Sequence, residues 1–145
     1  MRQSSLQRIA ILAVLVASFT QLPVRSGAEG DPTRRATRLE PMRMDADAGF
    51  SIREYEIETG VYYRWRIESD GLEEYKLVAP GLFRESWIDQ VVIEDREVKP
   101  TGLHAVEFDD AGAIDIWFVT LRPGTFGYHV EGLETQGFSG TFVVK

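Results

Sequence analysis

The chain contains no cysteine. That absence excludes disulfides, thiolate nucleophiles and any metal centre that needs a cysteine sulfur. G-x-S-x-G elbows and phosphate-binding P-loops are missing as well. Positive charge is in short supply, with 16 Lys and Arg against 23 Asp and Glu, a formal net charge of −7. This balance argues against binding nucleic acid or an anionic membrane surface by non-specific electrostatics. Acidity suits a protein that collects cations, and equally one that is acidic for solubility alone. Long apolar runs are absent too: Ile9–Ala17 is too short to span a bilayer comfortably. No amphipathic helix, internal repeat or low-complexity tract stands out.

What is present begins with a leader. Arg2 and Arg8 form a basic start, Ile9–Ala17 follows as a short apolar core, and Ser26-Gly-Ala28 places small residues where a signal peptidase cuts. Residues 1–28 are therefore expected to be a signal peptide, with an uncleaved anchor as the alternative, and the protein periplasmic or secreted. The 117 residues that would remain carry 13 basic and 23 acidic side chains, a charge of −10. They would hold together without a disulfide, which a sandwich core of this size can do. No membrane insertion is expected after cleavage. Residues 29–47 contain Pro32, Pro41 and four arginines without a sustained apolar period and are expected to be a flexible linker. Residues 48–145 are expected to form the single folded domain.

From Phe50 the pattern changes to period two. Phe50, Ile52, Tyr55 and Ile57 lead to the turn Thr59-Gly60. In Val61–Ile67, Val61, Tyr63, Trp65 and Ile67 then share one face, with Tyr62, Arg64, Arg66 and Glu68 on the other. Further strands are expected over Ile88–Glu94, Leu103–Phe108 and Ala113–Val119, and Pro80–Trp87 as a loop or one helical turn. Trp65 and Trp117 are read as core, and His104 as a packed or rim residue alternating with Val106 and Phe108. Seven to eight short strands with turns every 8 to 12 residues indicate an all-β sandwich.

The last stretch is the most informative. After the turn Pro123-Gly124, Phe126, Tyr128 and Val130 alternate, a loop rich in Gly and Glu follows from Glu131 to Gly140, and Thr141–Val144 closes the chain as a strand. This resembles the closing hairpin of the cupredoxins, the blue-copper β-sandwiches. In that family it reads approximately Pro-Gly-Thr-Tyr-x-Tyr-x-Cys, then Gly-His, then Gly-Met-x-Gly-Thr, and supplies three of the four copper ligands. The resemblance covers residues 50 to 145 and implies a cupredoxin-like Greek-key sandwich. Gly132, Gly137, Gly140 and Thr141 match the family's glycines and threonine. Val130, Leu133 and Phe138 stand at the positions of its Cys, His and Met. Aligning Leu77-Val-Ala-Pro80 on the family's first ligand segment puts Tyr75 at its histidine. The resemblance therefore implies a cupredoxin-like domain whose copper-ligand positions, Tyr75, Val130, Leu133 and Phe138, have become apolar core, with no resident cofactor.

Two function classes follow. One is a metal-free, non-enzymatic binding or accessory module that meets a protein partner. Phe83 and Trp87, expected at the same end as the degenerate copper site, are candidates for an exposed docking patch, or alternatively cap the core. The other is a metal-handling protein in copper or iron uptake. If Val130 faces inward, His129 faces outward with Glu131 and Glu134 nearby, and Glu73 and Glu74 are expected at the same end. One imidazole with carboxylates suits Fe²⁺, Mn²⁺, Zn²⁺ or Cu²⁺; the alternative is that these are solvated loop charges.

Overall fold

Tyr62–Ser69 and Gly112–Thr120 are the two long strands on which the molecule is assembled. They pair antiparallel from Ser69 opposite Gly112 to Tyr62 opposite Val119. The computed structural model describes residues 31–145, so the expected signal peptide at residues 1–28 lies outside the described residues. In chain order the strands are β1 (Thr37–Arg38), β2 (Met42–Asp45), β3 (Gly49–Phe50), β4 (Glu54–Ile57), β5 (Tyr62–Ser69) and β6 (Tyr75–Val78). A short helix α1 (Pro80–Arg84) precedes β7 (Ser86–Ile93), β8 (Arg96–Val98), β9 (Ala105–Phe108), β10 (Gly112–Thr120), β11 (Gly124–Val130) and β12 (Ser139–Val144). Pro80 sits in the first turn of α1, where its missing N–H costs no helical bond.

One sheet has the order β3-β2-β5-β10-β7-β8, with β1 also on β5; the other runs β4-β12-β11-β6-β9. Alternation decides which side chains meet between them. Trp65 and Ile67 of β5, Ile116 and Phe118 of β10, Tyr75 and Leu77 of β6, and Phe142 of β12 are all buried in one core. Aromatic rings dominate its centre: Trp65 meets Phe142 edge-on at 5.0 Å and Tyr128 at 5.3 Å between centroids. Such pairs add to the area term. This is an all-β sandwich, as expected, though twelve strands are counted among the described residues because several ladders are only two to four residues long.

Within the linker expected over residues 29–47, residues 37–38 and 42–45 are instead part of the folded sheet, as β1 and β2. Met42 and Met44 are fully buried, alternating with exposed Arg43 and Asp45. β2 runs parallel to the end of β5, with Met42 opposite Ile67 and Met44 opposite Ser69, and β1 pairs earlier on the same strand. Pro41, which cannot donate to a ladder, falls in the break between them. Two thioethers in the core outweigh the charged composition around them.

The reading of Trp117 as core also gives way. Ile114, Ile116 and Phe118 take the inward parity of β10, which turns Trp117 onto the outer face. There the Arg64 guanidinium lies over its ring, 5.1 Å from the centroid. Beside it Asp115 accepts two bonds from Arg64 and one from Arg66, at 2.8, 2.8 and 2.9 Å. Of the two readings of His104, packed or rim, the rim holds: it lies ahead of β9 and is exposed, because the inward alternation begins only with Val106.

The closing end of the sandwich

Val130 ends β11 and marks one end of the sandwich. The loop after it is fixed by its own main chain. The Leu133 N–H donates to the Val130 carbonyl at 3.1 Å, and the Val130 N–H to the Phe138 carbonyl at 3.0 Å. A 3₁₀ turn over Glu134–Gln136 ends at Gly137, whose φ of 91° belongs to the left-handed region that favours glycine. The Gly137 carbonyl then accepts from the Phe50 N–H at 3.1 Å. Gly49 backs directly on this point: a Cβ on it would stand 2.7 Å from the Gly137 oxygen. The loop thereby folds back over the core and delivers Phe138 into it.

Tyr75, Val130, Leu133 and Phe138 converge at this end. Tyr75, Val130 and Phe138 are buried and Leu133 is half-buried against the same core. The Tyr75 and Phe138 rings lie 5.3 Å apart, and Phe138 meets Phe50 edge-on at 5.5 Å. The Tyr75 hydroxyl donates to Asp70 Oδ1 at 2.9 Å. Burial, then the bond to Asp70 and its charge, push the phenol well above its ordinary value, so it stays neutral. Burial works against the Asp70 carboxylate. The N–H groups of Leu72 and Ala46, at 3.0 and 2.7 Å, together with Tyr75, nonetheless hold it below the usual carboxylate range.

This donor set does not fit a blue-copper centre. Such a centre takes two imidazoles, a thiolate and a weak axial thioether. Here the four positions offer two aliphatic side chains, a phenyl ring and a phenol already bonded to Asp70.

The ionisable side chains expected at this end lie on the outer face of the β4-β12-β11-β6-β9 sheet and in the loop after β11. His129 is half-buried there, with its Nε2 3.5 Å from Glu134 Oε1. Glu131 is committed elsewhere: its Oε2 lies 2.5 Å from Lys76 Nζ. That hydrogen bond and charge, with smaller contributions from His104 and His129, lower the Glu131 carboxyl below its ordinary value. The structure thus pairs His129 with Glu134 and ties Glu131 to a lysine. Glu74 instead meets Glu107 and Asp109, all three exposed, with carboxylate oxygens within 4.8 Å of one another. Nothing in the linear spacing announced that trio. It follows from the pairing of β6 with β9, which sets Tyr75 opposite Phe108 and Lys76 opposite Glu107.

Phe83 and Trp87, candidates for a docking patch or for capping the core, do not sit together. Phe83 belongs to α1 and its side chain is buried in the core, the capping alternative. Trp87 is 43% exposed, but it pairs with Val119 opposite the start of β5, at the far end from Asp70 and Tyr75.

Comparison with known proteins places this architecture. No protein-family model matches the sequence, and no curated protein matches it. Solved structures do match. A multicopper oxidase from Pseudomonas thermotolerans aligns with a TM-score of 0.59 at 13% identity, over 76% of this chain and 30% of that one. A multicopper oxidase from Campylobacter jejuni, a metallo-oxidase, aligns at 0.55 and 12%, over 79% and 31%. Auracyanin B aligns at 0.52 and 15%, over 77% of this chain and 91% of its own. The chain thus spans about a third of the oxidases and nearly all of auracyanin B. The fold is the cupredoxin β-sandwich, without the cysteine on which a blue-copper centre depends.

Proposed function

We propose that the chain is a periplasmic or secreted, non-redox binding or accessory module that keeps the cupredoxin scaffold and has given up the copper centre. The supporting observation is the closing end itself. Where the resemblance puts four ligands, Val130 and Phe138 are buried hydrocarbon, Leu133 packs against the same core, and Tyr75 is bonded to Asp70. A module of this kind performs no chemistry; its output is contact with a partner protein. Among the described residues no helix is long and apolar enough to cross a membrane, and export rests on the leader at residues 1–28. Metal analysis and Cu²⁺ titration of protein purified without an affinity tag test the reading. No intense visible band should appear, and a stoichiometric one would overturn it.

A second reading, metal handling in copper or iron uptake, is favoured by the approach of His129 to Glu134. Its residues are His129 and Glu134, with Glu131 available only if Lys76 releases it. Titration with Cu²⁺ and Fe²⁺ should then give a site that His129→Ala abolishes. Binding unchanged by that substitution would remove this site.

A further inference from the structure

The two sheets end on the same side of the sandwich. β8 is the last strand of one and β9 the last of the other, and neither has a ladder on its outer edge among the described residues. Between them opens a cleft of about 280 Å³, lined by Val91, Ile93, Val98, Leu103, Val106 and Ile114. Ile93 and Val98 are 44% and 48% exposed, two of the few large apolar side chains left outside the core. A dry cavity of about 150 Å³ already takes up benzene, so this cleft has room for a leucine or isoleucine side chain.

Charge on the rim is one-sided. On the β8 side it is compensated locally: Arg96 pairs with Glu94 and Lys99 with Glu97, both at 2.8 Å. On the β9 side Glu107 forms part of the cleft wall and gathers with Glu74 and Asp109. Lys76, directly opposite Glu107 in the ladder, offsets part of this charge while bonding to Glu131, which leaves Glu74 and Asp109 as the rest of the negative rim. An open strand edge beside an apolar slot and a negative rim suits strand addition by an extended segment. Main-chain bonds supply affinity in that mode, and pockets for alternate side chains supply specificity.

We propose that this open side docks an extended segment of a partner protein in which basic and large aliphatic residues alternate. The segment adds to the edge of β9, places one aliphatic side chain in the cleft, and sets its Lys or Arg residues against Glu74, Glu107 and Asp109. A second copy of this chain is a poor occupant, since it would bring the same negative rim at a net charge of −7. The inference rests on the binding-module reading and names the chemistry of its partner.

The probe is the peptide acetyl-Lys-Val-Lys-Leu-Lys-Val-Lys-amide, added to the ¹⁵N-labelled full-length chain and followed by amide shifts. Saturable changes are expected at residues 93–108, weakening as salt is raised. Val98→Lys and Glu107→Lys, both at exposed positions and each checked by its own amide spectrum, should each weaken binding by about tenfold or more. The same peptide with Glu for Lys should not bind. The proposal is overturned by absence of shifts up to about 1 mM peptide, by changes centred elsewhere, or by equal binding of the Glu peptide. Affinity that ignores both substitutions, or concentration-dependent self-association through this face, overturns it too. The copper titration reports on the closing end alone. A colourless protein that ignores the peptide therefore overturns only this inference, whereas a blue one overturns the reading beneath it.

Discussion

Phe138→Ala is the most direct probe of the closing end. Phe138 is 1% exposed, its ring stands 5.3 Å from Tyr75 and 5.5 Å from Phe50, and its carbonyl accepts the Val130 N–H. Truncation removes a fully buried phenyl ring and both ring contacts while leaving the main-chain bond possible. A buried Phe→Ala costs about 3–5 kcal/mol where the surroundings cannot collapse. Collapse is resisted here, because Gly49 and Gly137 already press backbone against backbone. The upper half of that range is therefore expected, and a fall in Tm on the order of 10–20 °C for a domain of this size. Urea unfolding followed by tryptophan fluorescence measures it, since Trp65 lies in the same core. An unchanged m-value would place the loss in the folded state. A loss below about 1 kcal/mol, far under the range for core truncation, would mean that the loop does not seat Phe138 as described.

The combined variant Tyr75→His, Val130→Cys, Leu133→His and Phe138→Met should lose stability and gain an intense thiolate-to-copper band on adding Cu²⁺. A folded but colourless variant would show that the four positions lack ligand geometry. Asp70 gives a pH signature. Its folded pKa lies below its unfolded value, so its contribution is present above about pH 4 and is lost as pH falls through the folded value. Urea midpoints of the parent and of Asp70→Asn should therefore converge on acidification, and parallel curves would refute the assignment.

The closing hairpin was the most legible part of the chain, because alternation at Phe126, Tyr128 and Val130 and the glycine spacing are local properties. Met42-Arg-Met-Asp45 was legible in principle as the same alternation, but Pro41 and its charged neighbours hid it. The strand is held by pairing with β5, some 25 residues on. Trp117 was misplaced for a related reason: its place in the strand suggested the core alternation, whereas the parity of Ile114, Ile116 and Phe118 puts it outside. Phe83 and Trp87 are close in sequence yet lie inside the core and on the surface. The junction between α1 and β7 turns them apart, and no period in the sequence reports that. The carboxylate trio and the β8–β9 cleft are consequences of sheet order. Neither Glu107 nor Val98 has any linear feature that marks it.

The shape of the closing loop does not hinge on the side chains at positions 130, 133 and 138. That shape is specified by main-chain bonds, from Leu133 to Val130, Val130 to Phe138 and Phe50 to Gly137, and by glycines with positive φ at Gly132 and Gly137. None of these depends on what the neighbouring side chains bind. The side chains at positions 130, 133 and 138 are thereby free to change from donors to packing, provided that they fill the space at core density. Tyr75 shows the limit of that freedom: as the one polar replacement, it keeps Asp70 as an acceptor for its buried hydroxyl. A scaffold whose closing end is held by hydrocarbon and backbone does not need a metal to fold. Its thermal unfolding midpoint should accordingly be the same with and without added Cu²⁺, and a rise on adding copper would refute the reasoning.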